Sequence, residues 1–269
     1  MFEAGRNIES TTSQNRLDLK ILTNMPTELT YLSDTYLMNS TAMCQSVIRR
    51  GDGLCDVILD RTIFYPKGGG QPSDTGKIEL AAGLLEVKAV SLSATGVVLH
   101  TCSLLSGNLP SEGEILDLSV NSNERMRNAA NHTAGHLIDL ALQLLPYKRD
   151  AIKANHSPAE SWVQFNGDHL PPGETTDTIR ESLTGKIDEL IKQNLPTYQI
   201  TPTAEQAAAL GISAPAGKTV RIIGFKGYED FARGCGGTHL ASSGEVGAIM
   251  IHGIRARKGT LSVTYQTLN

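Results

Sequence analysis

Four residues in two distant segments have side chains that could bind one metal ion together. Three residues separate His132 from His136, and three separate Cys235 from His239. On a helix this spacing places two imidazoles on one face, one turn apart. The glycines between Cys235 and His239 favour instead a tight loop that enters a helix. Three imidazoles and one thiol suit a tetrahedral Zn²⁺. Either pair alone is a weak signal, since such pairs are commonly surface or core residues, and the sequence predicts the site only when both are combined.

The first pair lies in a segment with the pattern of a long amphipathic helix. Ser122 or Asn123 could cap it, Pro146 should end it near Leu145, and a broad apolar stripe runs along the face beside the two histidines. A second amphipathic helix is expected from Thr176 to about Asn194. The other segments predicted around the two pairs are strands at 162–167, 198–201, 220–225, 248–254 and 261–265, a short helix at 203–210 and a turn at 255–259. Long helices against an antiparallel sheet indicate an α+β domain over residues 121–269.

The preceding part of the chain has the pattern of a small β-domain. Short strand-like runs at 55–60, 61–65, 84–90, 96–100 and 115–120 alternate with glycine-containing turns. Regular short strands of this kind predict a barrel-like domain, which we place at residues 25–120. Residues 1–24 are polar and lack a sustained period, so we expect an extension without fixed structure.

The charge, the cysteine spacing and the apolar segments of the sequence exclude some classes of protein. The 24 basic and 28 acidic residues give a net charge of −4, which excludes a uniformly basic surface but not a local basic patch. The four cysteines show no disulfide-like spacing, and no segment has the pattern of a signal peptide or a membrane span. A cytoplasmic protein with reduced thiols and no membrane partner is expected; the oligomeric state cannot be predicted.

Three motifs resemble those of the AlaX-type editing proteins, which are free-standing relatives of the alanyl-tRNA synthetase editing domain. They are a glycine-rich segment at 60–76, the stretch His132-Thr133-Ala134-Gly135-His136, and the stretch Cys235-Gly236-Gly237-Thr238-His239. A weaker match covers residues 156–165, and the resemblance as a whole runs from about Leu29 to the C-terminus, leaving the first 24 residues without a counterpart. It implies hydrolysis of mischarged alanine-acceptor tRNA, most of all tRNA that carries serine and also tRNA that carries glycine. It also implies one zinc ion per chain, held by the two histidine and cysteine pairs.

The resemblance also implies that the glycine-rich turn faces the substrate pocket. Gln71 would then read the serine hydroxyl or the terminal nucleotide, with Thr62, Gly69 and Gly70 beside it; a plain hairpin turn and cross-strand packing of Thr62 are the alternatives. Seven residues are thus candidates for the pocket: Thr62, Gly69, Gly70, Gln71, Gly236, Gly237 and Thr238.

The residues themselves leave several roles open in the second motif. Gly236 and Gly237 either expose N–H groups to an oxyanion or only permit the turn. Thr238 either donates to the substrate or caps a following helix. The zinc ion either activates water or only positions the ester, and Cys235 acting as a nucleophile is a further alternative.

A tRNA partner requires cations that contact phosphates. The candidates near the metal loop and in the last turn are Lys226, Arg233, Arg255, Arg257 and Lys258. Two other functions fit the same motifs: a non-catalytic tRNA-binding protein stabilised by zinc, and a zinc hydrolase of small esters.

Overall fold

The computed structural model describes residues 26–146, 148–209 and 221–268, and the predicted extension at 1–24 lies outside this range. The described residues form two compact units. The first contains the residues up to Pro66 together with Ser73–Asn121, and the second contains Lys67–Pro72 and the described residues from Ser122 onwards. Both α-helices and antiparallel sheets are present, which agrees with the predicted α+β class.

The first unit is a closed six-stranded barrel. Its strands run in the order β2-β3-β7-β6-β5-β8, with a short parallel pair, β1 and β4, in addition. Their bounds are β1 Glu28–Leu29, β2 Asn39–Arg49, β3 Leu54–Leu59, β4 Arg61–Thr62, β5 Gly76–Leu80, β6 Gly83–Leu92, β7 Val98–Gly107 and β8 Ile115–Val120. Residues in β8 alternate strictly between exposed and buried, so its apolar side chains fill the barrel. Closure pairs every barrel strand on both sides and leaves no open edge.

The second unit packs helices on one face of an antiparallel sheet of order β14-β15-β10-β9, and β11-β12-β13 form a smaller sheet. The elements are α1 Ser122–Leu144, β9 Ala151–Ser157, β10 Glu160–Asn166, α2 Thr176–Lys192, β11 Thr197–Ile200, α3 Ala204–Ala209, β12 Ile222–Phe225, β13 Arg233–Gly234, β14 Ile249–Arg257 and β15 Thr260–Thr267. Buried residues of both long helices, such as Leu137 and Ile187, form one core with Phe165 and Val263 of the sheet. None of the helices in the described part of the chain is long and apolar enough to span a membrane.

The chain after the second motif departs from the prediction. We expected the Cys235 loop to enter a helix, but among the described residues it is followed only by a 3₁₀ turn, Ser243–Val246. Two N–H groups of the loop are bound by distant side chains: that of Thr238 donates to Gln71 Oε1 (3.1 Å) and that of Leu240 donates to Thr133 Oγ1 (3.0 Å). These tertiary hydrogen bonds satisfy backbone N–H groups that a helix would pair with its own carbonyls.

The predicted turn at 255–259 is also shorter than expected. Arg255 and Arg257 belong to β14, where they pair with Ser262 and Thr260. Only Lys258 and Gly259 turn the chain, and both have positive φ angles, 54° and 75°. A hairpin can turn within two residues, so the strand continues through Arg257. The basic, glycine-containing sequence predicted a turn here but did not indicate its length.

Candidate metal centre

The predicted metal ligands converge. Ligating atoms of His132, His136, Cys235 and His239 all lie within 4.8 Å of one another. Sγ of Cys235 is 3.3 Å from Nε2 of His132 and 3.3 Å from Nε2 of His239. Usual zinc bond lengths and tetrahedral angles put a sulfur and a nitrogen ligand about 3.5 Å apart. The donor types and their separations therefore fit a tetrahedral zinc ion.

Burial keeps the three imidazoles in the form that binds a cation. It lowers the pKa of His136 to about 3, and it lowers the pKa values of His132 and His239 well below the usual range. The three imidazoles are therefore neutral at neutral pH, and each has one ring nitrogen without a proton that can bind a cation. Burial also raises the pKa of the Cys235 thiol. A nearby divalent cation opposes that effect, since it favours the thiolate.

Gln71 fixes the orientation of one candidate ligand. Its Oε1 lies 2.7 Å from Nδ1 of His132 and also accepts from the N–H of Thr238, while its Nε2 donates to Thr238 Oγ1 (2.9 Å). An amide oxygen can only accept, so Nδ1 of His132 carries the proton and its Nε2 is left free for a metal. The predicted reading of a serine hydroxyl by Gln71 is thus less suited to the geometry than a role in orienting His132.

Within the second unit, the glycine-rich turn Lys67–Pro72 packs against β9. Gly69 and Gly70 have positive φ angles of 53° and 79°. A Cβ on Gly70 would lie 2.5 Å from the carbonyl oxygen of Ala154 in β9, and the Gly70 carbonyl accepts from the N–H of His156 (2.8 Å). Glycine is therefore required at Gly70 both for its backbone conformation and for this contact.

Two of the predicted pocket residues have other partners. Thr62 belongs to the first unit, is fully buried, and lies 2.7 Å from Nε2 of His100, whose Nδ1 in turn lies 2.9 Å from the Val57 carbonyl. This network favours the alternative of a packing role for Thr62 within the first unit, and its place in a substrate pocket stays a prediction. Thr238 caps no helix, because no α-helix follows it among the described residues; its hydroxyl accepts a hydrogen bond from Gln71 Nε2 instead.

The loop of the second motif is held by a residue that the sequence did not reveal. Arg221 donates from Nε to the carbonyl of Cys235 (3.0 Å), from Nη2 to the carbonyl of Gly237, and from Nη1 to Gln199. A planar guanidinium can bind several carbonyl oxygens at once, which fixes the loop that carries the thiol. No local pattern marks this arginine, which lies 14 residues before Cys235.

The predicted tRNA-binding cations have different environments. Nε of Arg233 forms a 2.7 Å ion pair with the buried Asp139, which competes with a phosphate for this guanidinium, and the contact of Arg233 with tRNA stays a prediction. Nζ of Lys226 lies 4.9 Å from the centre of the Tyr198 ring. Arg255, Arg257 and Lys258 are exposed along β14 and its turn.

Comparison with known proteins shows similarity over most of the chain. A profile of the family described as "tRNA synthetases class II (A)" matches residues 9–124. This match begins before Leu29, so similarity extends into the first 24 residues, for which we expected none.

Three alanine–tRNA ligases are among the similar proteins. That of Halobacterium salinarum is 30% identical over 258 residues, which cover 91% of this chain and 26% of the ligase. Those of Korarchaeum cryptofilum (33% identical; 87% and 25% covered) and Neorickettsia sennetsu (30% identical; 80% and 26% covered) are comparable. This chain thus spans about a quarter of the length of these relatives. The chain belongs among the relatives of the alanyl-tRNA synthetases, as its resemblance to the AlaX-type editing proteins predicted.

Proposed function

We propose that this protein is an aminoacyl-tRNA deacylase that hydrolyses the ester bond of mischarged tRNA(Ala), with seryl-tRNA(Ala) as the main substrate and glycyl-tRNA(Ala) as a second one. The observation that carries the proposal is the convergence of His132, His136, Cys235 and His239 in a chain that matches alanine–tRNA ligases over most of its length. The names of these relatives support tRNA for alanine as the partner, and a cytoplasmic site of action follows from a role in translation.

A zinc ion bound by these four residues would supply positive charge beside the ester carbonyl and would orient the substrate. Four protein ligands complete a tetrahedron, so this centre supports positioning of the substrate better than activation of water at an open coordination position. The same saturation disfavours Cys235 as a nucleophile, because its sulfur is committed to the donor set.

The protein's own residues keep this centre in one geometry. Gln71 fixes the tautomer of His132, and Arg221 binds the carbonyls of Cys235 and Gly237 in the loop that carries the thiol. Preorganisation of this kind lets a site act without rearranging its dipoles during the reaction. Exposed Arg255, Arg257 and Lys258 would attract the phosphates of the acceptor arm.

Deacylation assays with this chain alone test the proposal. Purified protein is incubated with tRNA(Ala) charged with serine, glycine or alanine, before and after removal of metal by a chelator and after zinc is restored. We expect hydrolysis of the seryl and glycyl esters, sparing of the alanyl ester, loss of activity with the chelator, and recovery with zinc. Zinc-replete protein that binds tRNA without deacylating any of the three esters would favour a non-catalytic tRNA-binding role. Hydrolysis of simple amino-acid esters with no salt-sensitive binding of tRNA would indicate a small-ester hydrolase.

A further inference from the structure

The four-stranded sheet of the second unit has two different faces. Val163 and Phe165 of β10 and Val263 of β15 belong to the core that the sheet forms with α1 and α2. The residues that alternate with them point the other way and are partly or fully exposed, and we call this side the outer face. His156 of β9 is buried and stacks on the candidate ligand His132, so the candidate metal centre lies on the helix side. The outer face is therefore a separate surface.

An aromatic ring lies on an inner strand of the outer face. Trp162 of β10 pairs with Thr264 of β15, which pairs in turn with Gly253 of β14. Gly253 has no side chain, and an open cavity of about 470 Å³ lined by these three residues extends across the strands. Sites for small ligands typically measure about 300–1,000 Å³, so the cavity is large enough for a planar group that stacks on the indole.

The row next to Trp162 places hydrogen-bonding and cationic residues across all four strands. Gln164 of β10 pairs with Lys153 of β9 and with Ser262 of β15, and Ser262 pairs with Arg255 of β14. Gln164, Ser262 and Arg255 also line the cavity. At the usual spacing of strands, the backbones of Lys153 and Arg255 are about 14 Å apart. A base on the indole would thus have a cation on either side.

The outer face is positively charged, although the chain as a whole has a net charge of −4. The four strands contain three cationic residues and one acidic residue, all of them exposed: Lys153, Arg255, Arg257 and Glu160. Lys258 adds a further cation in the turn, where Asp168 accepts from the N–H of Gly259 (2.7 Å). Cations around an aromatic ring match the phosphates and bases of a single-stranded nucleic acid, whereas the cores of protein–protein interfaces are depleted of charged residues.

The indole has only a weak cationic contact with its neighbour. Nζ of Lys153 lies 5.9 Å from the centre of the Trp162 ring. This distance is close to the outer limit of about 6 Å for a cation–π contact. Since Lys153 is exposed and its stem is flexible, its ammonium group can leave the ring for a phosphate when a base stacks there.

We infer that the outer face binds an unpaired nucleotide of the tRNA other than the one that carries the ester. Its base stacks on Trp162, and Lys153 and Arg255 bind the flanking phosphates. The inference rests on the proposed function for the identity of the RNA. Exposed sheets of RNA-binding domains use aromatic residues in the same way. Glu160, which also lines the cavity, disfavours a phosphate at its own end and leaves the two cations as the phosphate contacts.

Fluorescence tests the stacking directly, because Trp162 is the only tryptophan of the chain. Zinc-loaded protein is titrated with uncharged tRNA(Ala), with a short oligouridylate, and with heparin, a polyanion that has no bases. We expect both RNAs to quench the fluorescence and heparin to leave it nearly unchanged. Equal quenching by heparin, or no quenching by tRNA(Ala), would overturn the inference.

Kinetics of a Trp162→Leu variant give a second test, since leucine keeps an apolar side chain in the strand but removes the aromatic face. We expect KM for seryl-tRNA(Ala) to rise at least about fivefold, the lower end of the usual contribution of one base–aromatic stack. The value of kcat should change little, because the metal centre lies on the other side of the sheet. Trp162→Phe should restore part of the affinity. An unchanged KM in the leucine variant contradicts the inference.

A charge substitution tests the phosphate contact and still decides if the leucine variant fails to fold. Arg255→Gln should reduce the slope of log affinity for tRNA(Ala) against log salt by about one, the loss of one phosphate contact. Arg180→Gln is the matched control: it removes an equal charge from α2, where Arg180 pairs with Asp177 (3.1 Å), and should leave the slope unaltered. Equal slopes in the two variants would contradict the inference.

The proposed function and this inference can fail separately. Wild-type protein that binds tRNA(Ala) with quenching but hydrolyses none of the esters would defeat the deacylase function and leave the outer face as an RNA-binding surface. Active wild-type protein whose KM is the same with and without the indole would defeat the inference alone.

Discussion

Two adjacent glycines in the second motif differ completely in their surroundings. A Cβ on Gly237 would lie 2.1 Å from Cε1 and 2.2 Å from Nδ1 of His132, and 3.0 Å from Oε1 of Gln71, whereas a Cβ on Gly236 would meet nothing within 4 Å. Neither glycine has a positive φ, so an alanine could adopt the backbone conformation at both positions. At Gly237 the requirement for glycine is therefore one of space beside a metal ligand.

We expect Gly237→Ala to weaken zinc binding, because it must displace His132 or break its hydrogen bond to Gln71. Changes that disturb the orientation of a metal ligand typically cost about 10- to 100-fold in affinity. Gly236→Ala is the matched control and should bind zinc like the wild type. Competition with a chromophoric chelator measures both variants. Equal affinities in the two variants would show that the Gly237 backbone is not packed against His132.

The four ligands could be found from the sequence because each pair is local: its members are four positions apart and of types that bind zinc. The residues that orient them could not. Gln71 acts on His132 across 61 positions, and Tyr265 contacts His156, whose ring stacks on His132, across 109. Such contacts depend on how the elements pack, and no local pattern records them. The contact of Thr62 with His100, 38 positions away, could not be predicted for the same reason.

At the scale of elements, α1 positions two of the four ligands and also accommodates His156 at Gly135. The predicted helix, 124–145, agrees closely with Ser122–Leu144, and so does α2, predicted to 194 and ending at Lys192. Long amphipathic helices of this kind have strong periodic patterns and clear stop signals. The individual strand β2 was not distinguished, although it is 11 residues long. The Cys235 loop was misjudged because tertiary hydrogen bonds, rather than its own sequence, set its path.

Alanine substitutions in the two long helices should have opposite effects. Gly185 in α2 is exposed and a Cβ there would meet nothing within 4 Å, so Gly185→Ala should stabilise the protein by up to about 1 kcal/mol, the usual helix-propensity gain. Gly135→Ala gains the same propensity but forces the His156 ring out of its place, and overpacking of this kind costs about 1–3 kcal/mol. We therefore expect Gly135→Ala to be neutral or destabilising.

Urea denaturation followed by the fluorescence of Trp162 reports on this comparison, because the only tryptophan of the chain lies in β10 of the unit that contains both helices. Zinc is removed from both samples so that a change in metal affinity does not contribute to the difference. A Gly135→Ala variant as stable as Gly185→Ala would mean that the ring of His156 does not occupy the space beside α1.

At the scale of the whole molecule, the chain combines a closed barrel with a helix-and-sheet unit that contains all four candidate ligands and the glycine-rich Lys67–Pro72 segment. The sequence patterns had predicted a β-domain followed by an α+β domain. It had placed Lys67–Pro72 within the β-domain; the structure groups this segment with the second unit, where Gln71 and Gly70 have their partners. Segments contiguous in sequence can thus belong to different units when their side chains bind elsewhere.

The central claim is that three imidazoles and one thiolate hold a single divalent cation, and X-ray absorption at the zinc edge tests it most directly. Protein loaded with one equivalent of zinc should show one sulfur neighbour at about 2.3 Å and three nitrogen neighbours at about 2.0–2.1 Å. In the Cys235→Ser variant the sulfur contribution should disappear. A spectrum of the wild-type protein without sulfur, or with fewer than three nitrogen ligands from histidine, would contradict the account.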